Sequence, residues 1–477
     1  MKIFVVMASV MALVFSVSIA GSGCSSNSGG GGEPDIDGGQ MDAAQVDSGD
    51  GDIPDPSDAE PVDAGYVMPE VQIVASATAI SEYDEAYFEA EITGGLAPFD
   101  VEWDFDGVAP ASYEINTGAI QFVELGDYTV TVTIVDAEGN DASDSIQISV
   151  DILAGNMNFY FGNLHSHSGI SDGEGTPTEV LTWARYDEEL DFYLMTDHAE
   201  QIFGSEWDLI ATRVDEFTED GVFVSLRGFE WSHPINGHIC VYETDDYTAA
   251  YSSLWISDFY DWIEENDGIA QFNHPGREYE VFNDLQLESN VISHMFAIET
   301  GNKGTGNNDG EFIPYYIQAL DNGWHLAPTN NQDNHSLSIN SHRTVYIGEE
   351  LTKAHLLEAM HARRLYSSDD PNIKIVFKYK DKWMGSHMDV TDNNVRFSIK
   401  VEDDEPVQEM QLVTKEGAVV ADMEPGEDDD PMNIFWFPEV TVNESSYFFL
   451  KVTSEDVYDD DGPVQIALTA PIWINIQ

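Results

Sequence analysis

Apolar and polar residues alternate with period two across residues 67–152, as in Tyr128-Thr-Val-Thr-Val-Thr-Ile-Val135, and Gly, Pro and Asp separate the runs. Such alternation puts every second side chain on one sheet face, so this segment predicts an all-β sandwich of about 85 residues. Between 156 and 371 short apolar runs alternate with amphipathic stretches, the rhythm of an α/β unit with a mainly parallel sheet. Thr176-Pro177-Thr178-Glu179 opens one helix with a capping box and a proline in its first turn, and Val180, Leu181 and Ala184 supply its apolar face. A second helix is predicted through Leu351 to Met360. Strand patterns return over 372–477, as in Ile373-Lys-Ile-Val-Phe-Lys-Tyr379 and Val395-Arg-Phe-Ser-Ile-Lys-Val401, and predict a C-terminal β domain.

The N-terminal region lacks such patterns. Met1-Lys2, an apolar run from Ile3 to Ala20 and small residues up to Cys24 have the layout of a secretory signal peptide over 1–23. The segment Ala20-Gly-Ser-Gly-Cys24-Ser-Ser resembles a bacterial lipoprotein cleavage box, with Gly21 where an aliphatic residue is usual. That resemblance implies acylation of Cys24 and a lipid anchor in the cell envelope, at the outer membrane or cell surface; plain secretion is the alternative. Residues 24–66 are Gly, Ser, Asp, Pro and Ala with hardly a large apolar side chain, so they predict a disordered acidic tether. Once Cys24 is acylated only Cys240 remains, and stability must come from packing and metal rather than from an intrachain disulfide.

Charge narrows the function classes. The 477 residues carry 89 acidic against 18 basic side chains, a formal net charge of -71. A surface of that sign repels phosphate backbones, which argues against general nucleic-acid binding. The pattern leaves the oligomeric state open.

All 13 histidines fall between His165 and His387. Gly162-Asn-Leu-His165-Ser-His167-Ser-Gly-Ile-Ser-Asp172 sets two imidazoles two residues apart, on one face of a strand. Leu190-Asp-Phe-Tyr-Leu-Met-Thr-Asp197-His198 delivers an Asp and a His as an apolar strand ends. The pattern recurs in Val222-Phe-Val-Ser-Leu-Arg-Gly-Phe-Glu230, Gly237-His238-Ile-Cys-Val-Tyr242, Gly268-Ile-Ala-Gln-Phe-Asn-His274-Pro275 and Leu326-Ala-Pro-Thr-Asn-Asn-Gln-Asp333-Asn-His335. Singly each run is ordinary; in series they point to a metal cluster. Nitrogen and oxygen donors without a thiolate suit Mn, Zn or Fe. Cys240 shares a strand face with His238 and reads first as a small buried apolar residue, secondly as a neighbour of the site.

The order His-x-His with Ser-Asp-Gly, then Thr-Asp-His, Gly-x-Glu, Gly-His, Asn-His-Pro and Asp-x-His resembles the PHP (polymerase and histidinol phosphatase) superfamily, which implies a distorted seven-stranded (β/α)7 barrel at the centre of the chain. His342-Arg343-Thr-Val, Leu351-Thr-Lys, Arg363-Arg364-Leu-Tyr366-Ser-Ser-Asp-Asp-Pro371, Trp383-Met-Gly385 and Ala470-Pro-Ile-Trp473 are similar to its carbaryl-hydrolase-like branch. Carried over by position, the resemblance implies one metal on His165, His167, Glu230 and Asp333, a second on Glu230, His238 and His274, and a third on Asp172, His198 and His335. Val101-Glu-Trp-Asp-Phe-Asp-Gly107 with Gly126-Asp-Tyr-Thr-Val-Thr-Val resembles a PKD-type immunoglobulin-like domain, which implies an immunoglobulin-like β-sandwich with a spacer or adhesion role.

Two or three divalent metals would activate water and polarise the bond under attack, with Glu230 bridging. Asp197 then reads as an orienting group for an imidazole or as a proton acceptor. Arg277 and Arg343 are candidates for contact with an anionic substrate, Arg343 alternatively for an ion pair with a ligand carboxylate, and His233 and His342 for donation to the leaving group. The expected substrate is a small phosphomonoester or phosphodiester. A carbamate, amide or carboxylic ester is the alternative, and a non-catalytic adhesion or glycan-binding protein is a third reading.

Overall fold

The computed structural model describes residues 66–153, 157–253, 255–278, 281–302, 310–455 and 464–477. The expected leader, Cys24 and the tether up to residue 65 lie outside the described residues.

In the N-terminal segment, strands Glu70–Ala75, Glu85–Thr93 and Asn116–Gln121 form one sheet. Ala79–Ser81, Asp141–Asp151, Gly126–Val135 and Asp100–Asp104 form another. The alternation read from the sequence is the burial pattern: Val130, Val132 and Ile134 are fully buried, while the threonines between them are partly exposed. Trp103 lies flat beside Phe105, ring centroids 6.2 Å apart, and its indole N–H donates to the Glu114 carbonyl, so the large ring enters the core with its polar atom satisfied.

The central strands run in the spatial order Ala327–Asn331, Met295–Asn302, Ile269–Asn273, Gly237–Tyr242, Val224–His233, Phe192–Met195, Asn158–Asn163, Arg343–Gly348 and Leu365–Ser368. The expected closed (β/α)7 barrel is not evident. Five α-helices occur among the described residues, and the Gly237–Tyr242 strand turns straight back on Val224–His233 as an antiparallel hairpin, pairing Ser232 with His238. A parallel step needs a long crossover, normally a helix, whereas the three residues Pro234 to Asn236 permit only a reversal. The outer strand Ala327–Asn331 reaches the other side of the sheet without a regular ladder. Instead Leu164 N donates to the Asn331 side chain at 2.9 Å, Asn330 Nδ2 donates to the Ser368 carbonyl at 2.9 Å, and Ser166 and Asn334 form an isolated bridge.

The first helix, Pro177–Tyr186, has the expected capping box at Thr176 and Glu179, and Val180, Leu181 and Ala184 are fully buried. Thr176 satisfies a terminal N–H that would otherwise lack a partner.

The C-terminal strands do not form a free-standing sandwich. Leu365–Ser368 pairs with Val464–Thr469, which pairs with Ser446–Glu455, so a single 15-stranded sheet runs across residue 371. One apolar cluster accordingly joins Leu164, Phe192 and Val345 to Phe397, Leu450 and Ile474.

Candidate metal centre

Strand direction explains why the site residues occur at the ends of some strands and at the start of one. His165 and His167 follow Asn158–Asn163, Asp197 and His198 follow Phe192–Met195, and His274 follows Ile269–Asn273. Asp333 and His335 follow Ala327–Asn331. His238 opens its strand, but that strand is antiparallel to its neighbours, and the register sets His238 opposite both Ser232 and Asn273. All these positions therefore fall at one edge of the sheet. His274 and Asp333 sit at φ of 28° and 42°, a left-handed backbone that is costly for residues with side chains and typical of functional sites.

Glu230 is fully buried at the hub. Its carboxylate lies 3.1 Å from His165, 3.6 Å from His167, 2.7 Å from His198, 3.2 Å from His238 and 3.4 Å from His274. Asp333 approaches His165 at 3.5 Å, His167 at 3.0 Å and His335 at 3.5 Å. Asp172 approaches His198 at 3.5 Å and His335 at 3.2 Å. The structure thus brings together all nine residues named from the sequence. Their donor atoms converge in overlapping groups, including His165, His167 and Asp333; His198, Glu230 and His238; and His167, Asp172, His198 and His335.

Charge favours cations at these points. Burial works against ionising Glu230, yet the His238, His165 and His198 rings outweigh it and hold its pKa well below the usual carboxylate range. Burial likewise opposes charging His165, but Cys240, Asp333, Glu230 and Glu299 around it raise its pKa well above the ordinary value. His274 is pushed up to about 9 against its burial by Glu230 and Glu278. The Nε2 atoms of His165 and His167 face each other at 3.2 Å while both turn toward carboxylates. A converging set of imidazole nitrogens and carboxylate oxygens of this kind fits divalent transition metals.

The remaining candidates are placed differently. Asp197 does not reach an imidazole directly; its carboxylate accepts from the N–H and hydroxyl groups of both Ser168 and Ser171. It therefore fixes the loop between His167 and Asp172, and acts on His167 through the Ser171 hydroxyl, 3.4 Å from its Nδ1. Arg277 sits beside the cluster, 3.3 Å from Asp333, with its side chain 29% exposed. Arg343 is buried in a pair with Glu188 at 3.1 Å and donates to the Asn340 and His342 carbonyls, a structural role in place of the expected substrate contact. His233 accepts from Ile235 N and Asn236 N at the hairpin turn. His342 is buried.

Two further participants emerge, Glu299 and Glu278. Glu299 is fully buried, accepts from His165 Nδ1 at 3.0 Å and also from Asn331, Asn302 and the His274 N–H. It fixes the ring that presents Nε2 to Glu230 and Asp333. Glu278 lies 3.6 Å from His274 and 3.7 Å from His238. Cys240 is a neighbour of the site and not merely an apolar filler, since Asn273 Nδ2 stands 3.1 Å from its sulfur and 2.8 Å from Glu230.

No family model and no curated protein matches the chain. Among solved structures it is similar to a two-domain protein from Bacteroides vulgatus containing a predicted PHP-like metal-dependent phosphoesterase, at 16% identity and a TM-score of 0.38 over 65% of this chain and 94% of that one. It is also similar to the PKD1 domain of the Vibrio cholerae metalloprotease PrtV, at 20% identity and a TM-score of 0.16 over 18% of this chain and 99% of that one. A third likeness is to the PKD1 domain of Vibrio anguillarum Epp, at 17% identity and a TM-score of 0.16, over 19% of this chain and 100% of that one.

Proposed function

We propose that the chain is a PHP-type metal-dependent hydrolase that cleaves small phosphomonoesters or phosphodiesters outside the cytoplasm. The observation that carries this reading is Glu230, a buried carboxylate ringed by five imidazoles, with Asp333, Asp172 and His335 completing the set. His165, His167, Glu230 and Asp333 would hold one metal, Glu230, His238 and His274 a second, and Asp172, His198 and His335 a third. Bound there, Mn, Zn or Fe would supply Lewis acidity and an activated water. Glu299 and Asp197 keep the imidazoles and the Asp172 loop in place, and Arg277 offers its guanidinium to an anionic group.

One observation favours the carbamate or carboxylic ester alternative. Glu188 holds Arg343, so Arg277 alone carries the anion-binding role first assigned to both arginines. Substrate screens should therefore include both ester classes.

Metal removal tests the reading. The chain purified without chelator is expected to carry about two to three metal equivalents by elemental mass spectrometry. It should lose phosphoesterase activity on exhaustive chelation and regain it with Mn, Zn or Fe. Less than about half an equivalent, unchanged after incubation with Mn or Zn, would leave adhesion or glycan binding as the better reading.

The proposal includes export and acylation at Cys24, supported by the apolar leader and the Ala20-Gly-Ser-Gly-Cys24 segment. Labelled palmitate should enter the wild-type chain and not a Cys24→Ser variant; equal labelling of the two would remove the anchor from the proposal.

A further inference from the structure

A second group of carboxylates lies where the C-terminal strands join the central sheet. Asp370 follows the Leu365–Ser368 strand, and Asp403, Asp404 and Glu405 follow Ser398–Glu402. Asp370 is 1% exposed and Glu405 6% exposed, and Glu405 is within hydrogen-bonding reach of Asp370, Asp403 and Asp404. Among the described residues, no ion pair ties any of the four to a lysine or arginine.

One half of this group is already satisfied. Asp370 Oδ1 accepts from Asn372 N at 2.7 Å and Ile373 N at 2.6 Å, and Asp403 Oδ1 accepts from Glu405 N at 3.4 Å. On the other side Asp370 Oδ2, Asp403 Oδ2 and Glu405 Oε2 are buried and, among the described residues, take no hydrogen bond from an N–H group or a hydroxyl, so carboxyl faces carboxyl there. Leaving such oxygens unpaired is costly, and three together repel one another.

Gln465 supplies an independent pointer. It is 2% exposed, and neither its amide oxygen nor its nitrogen has a partner. The register sets Gln465 directly opposite Ser454, and cross-strand partners project to the same sheet face. Ser454 hydrogen-bonds Asp403, so Gln465 lies on the sheet face that meets the carboxylates.

We propose that Asp370, Asp403, Glu405 and Gln465 bind a calcium-type divalent cation, at a site separate from the imidazole cluster. The available donors are oxygens: Asp370 Oδ2, Asp403 Oδ2, Glu405 Oε2, Gln465 Oε1 and the Ser454 hydroxyl. With no imidazole or thiolate among them they suit a hard cation, and calcium tolerates the irregular arrangement better than magnesium does. The cation would tie the end of Leu365–Ser368 to the strand Ser398–Glu402 and to the paired strands Ser446–Glu455 and Val464–Thr469, the elements that carry these residues. Its role is structural.

Protons are the competing occupant. Burial first, then neighbouring carboxylates, push Asp403 up to about 7 and Glu405 up to about 9. Acids raised in this way lend stability that is full below their unfolded values near 4 and is lost as pH rises through about 7 and then 9.

The test uses the full chain with its imidazole cluster saturated with Mn. Calcium is titrated alone by calorimetry and by thermal melting at pH 8. The expected result is about one calcium equivalent per chain and a rise in Tm of a few degrees. Both should persist in His165→Ala and vanish in Asp403→Asn with Glu405→Gln. If that double variant does not fold, Asp403→Asn alone should weaken binding by at least about tenfold. No calcium binding by the wild-type chain at millimolar concentration would overturn the proposal. So would binding undiminished in the double variant, or a double variant more stable at pH 8 than the calcium-saturated wild type.

Discussion

A Glu230→Gln variant is expected to lose most of its metal and at least about 10³-fold in kcat/KM, because one side chain would serve two of the three proposed metals. The substitution keeps the volume of the buried side chain but replaces a negative oxygen with an N–H₂ group. At the Oε1 position that group would meet the ring nitrogens of His165 and His238, now 3.1 and 3.2 Å away, and at the Oε2 position that of His198, now 2.7 Å away. Repulsion and loss of the bridging charge act together. Elemental mass spectrometry and phosphoester turnover read the result, and circular dichroism checks that the sheet is intact. A folded variant with its full metal complement and wild-type turnover would show that the cluster is not organised around Glu230.

The second large effect is expected one residue further out. Glu299→Gln should weaken metal affinity by about 10–100-fold while leaving the stoichiometry at saturating metal unchanged. Glu299 accepts from His165 Nδ1, Asn331, Asn302 and the His274 N–H, so the amide keeps the packing and loses the charge that fixes the His165 ring. Competition against a calibrated chelator measures the shift. An affinity within twofold of wild type would mean that the surrounding amides hold His165 by themselves. The contrast with Glu230→Gln, which should lower the stoichiometry itself, separates an orienting role from a ligating one.

The sequence carried the site more legibly than the fold. His165, His167, His198, His274, Asp333 and His335 stood out because polar residues at the end of an apolar strand are visible in a linear reading, and a sheet edge gathers such ends. Glu299 was missed because it lies inside the run Met295-Phe-Ala-Ile-Glu-Thr, with no imidazole beside it. The signal was there, since an isolated carboxylate in a fully apolar strand needs partners. Glu278 was not singled out, since the stretch Gly276-Arg277-Glu278 carries no apolar strand pattern to mark it. Arg343 was chosen for its nearness in sequence to His335, but its strand runs antiparallel to Asn158–Asn163 and brings it to Glu188.

The barrel was implied by the family resemblance, and the mainly parallel sheet expected from the apolar pattern misses a reversal for a physical reason. Apolar runs buried on both faces look alike whether a strand runs parallel or antiparallel to its neighbour. Only the short link from His233 to Gly237 recorded the reversal. The pairing of Tyr366 with Thr469 is about a hundred residues distant in sequence, and no local pattern reports it.

That long-range pairing also has a consequence in time. As the chain leaves the ribosome, the Leu365–Ser368 strand is complete while its hydrogen-bonding partner Val464–Thr469 does not yet exist. At about 5–20 residues per second, its outer N–H and C=O groups wait roughly 5–20 s for a partner. During that interval the central sheet presents an open edge, the form of structure most prone to pairing with another chain. Val464–Thr469, made about a hundred residues later, covers that edge and ends its period of exposure.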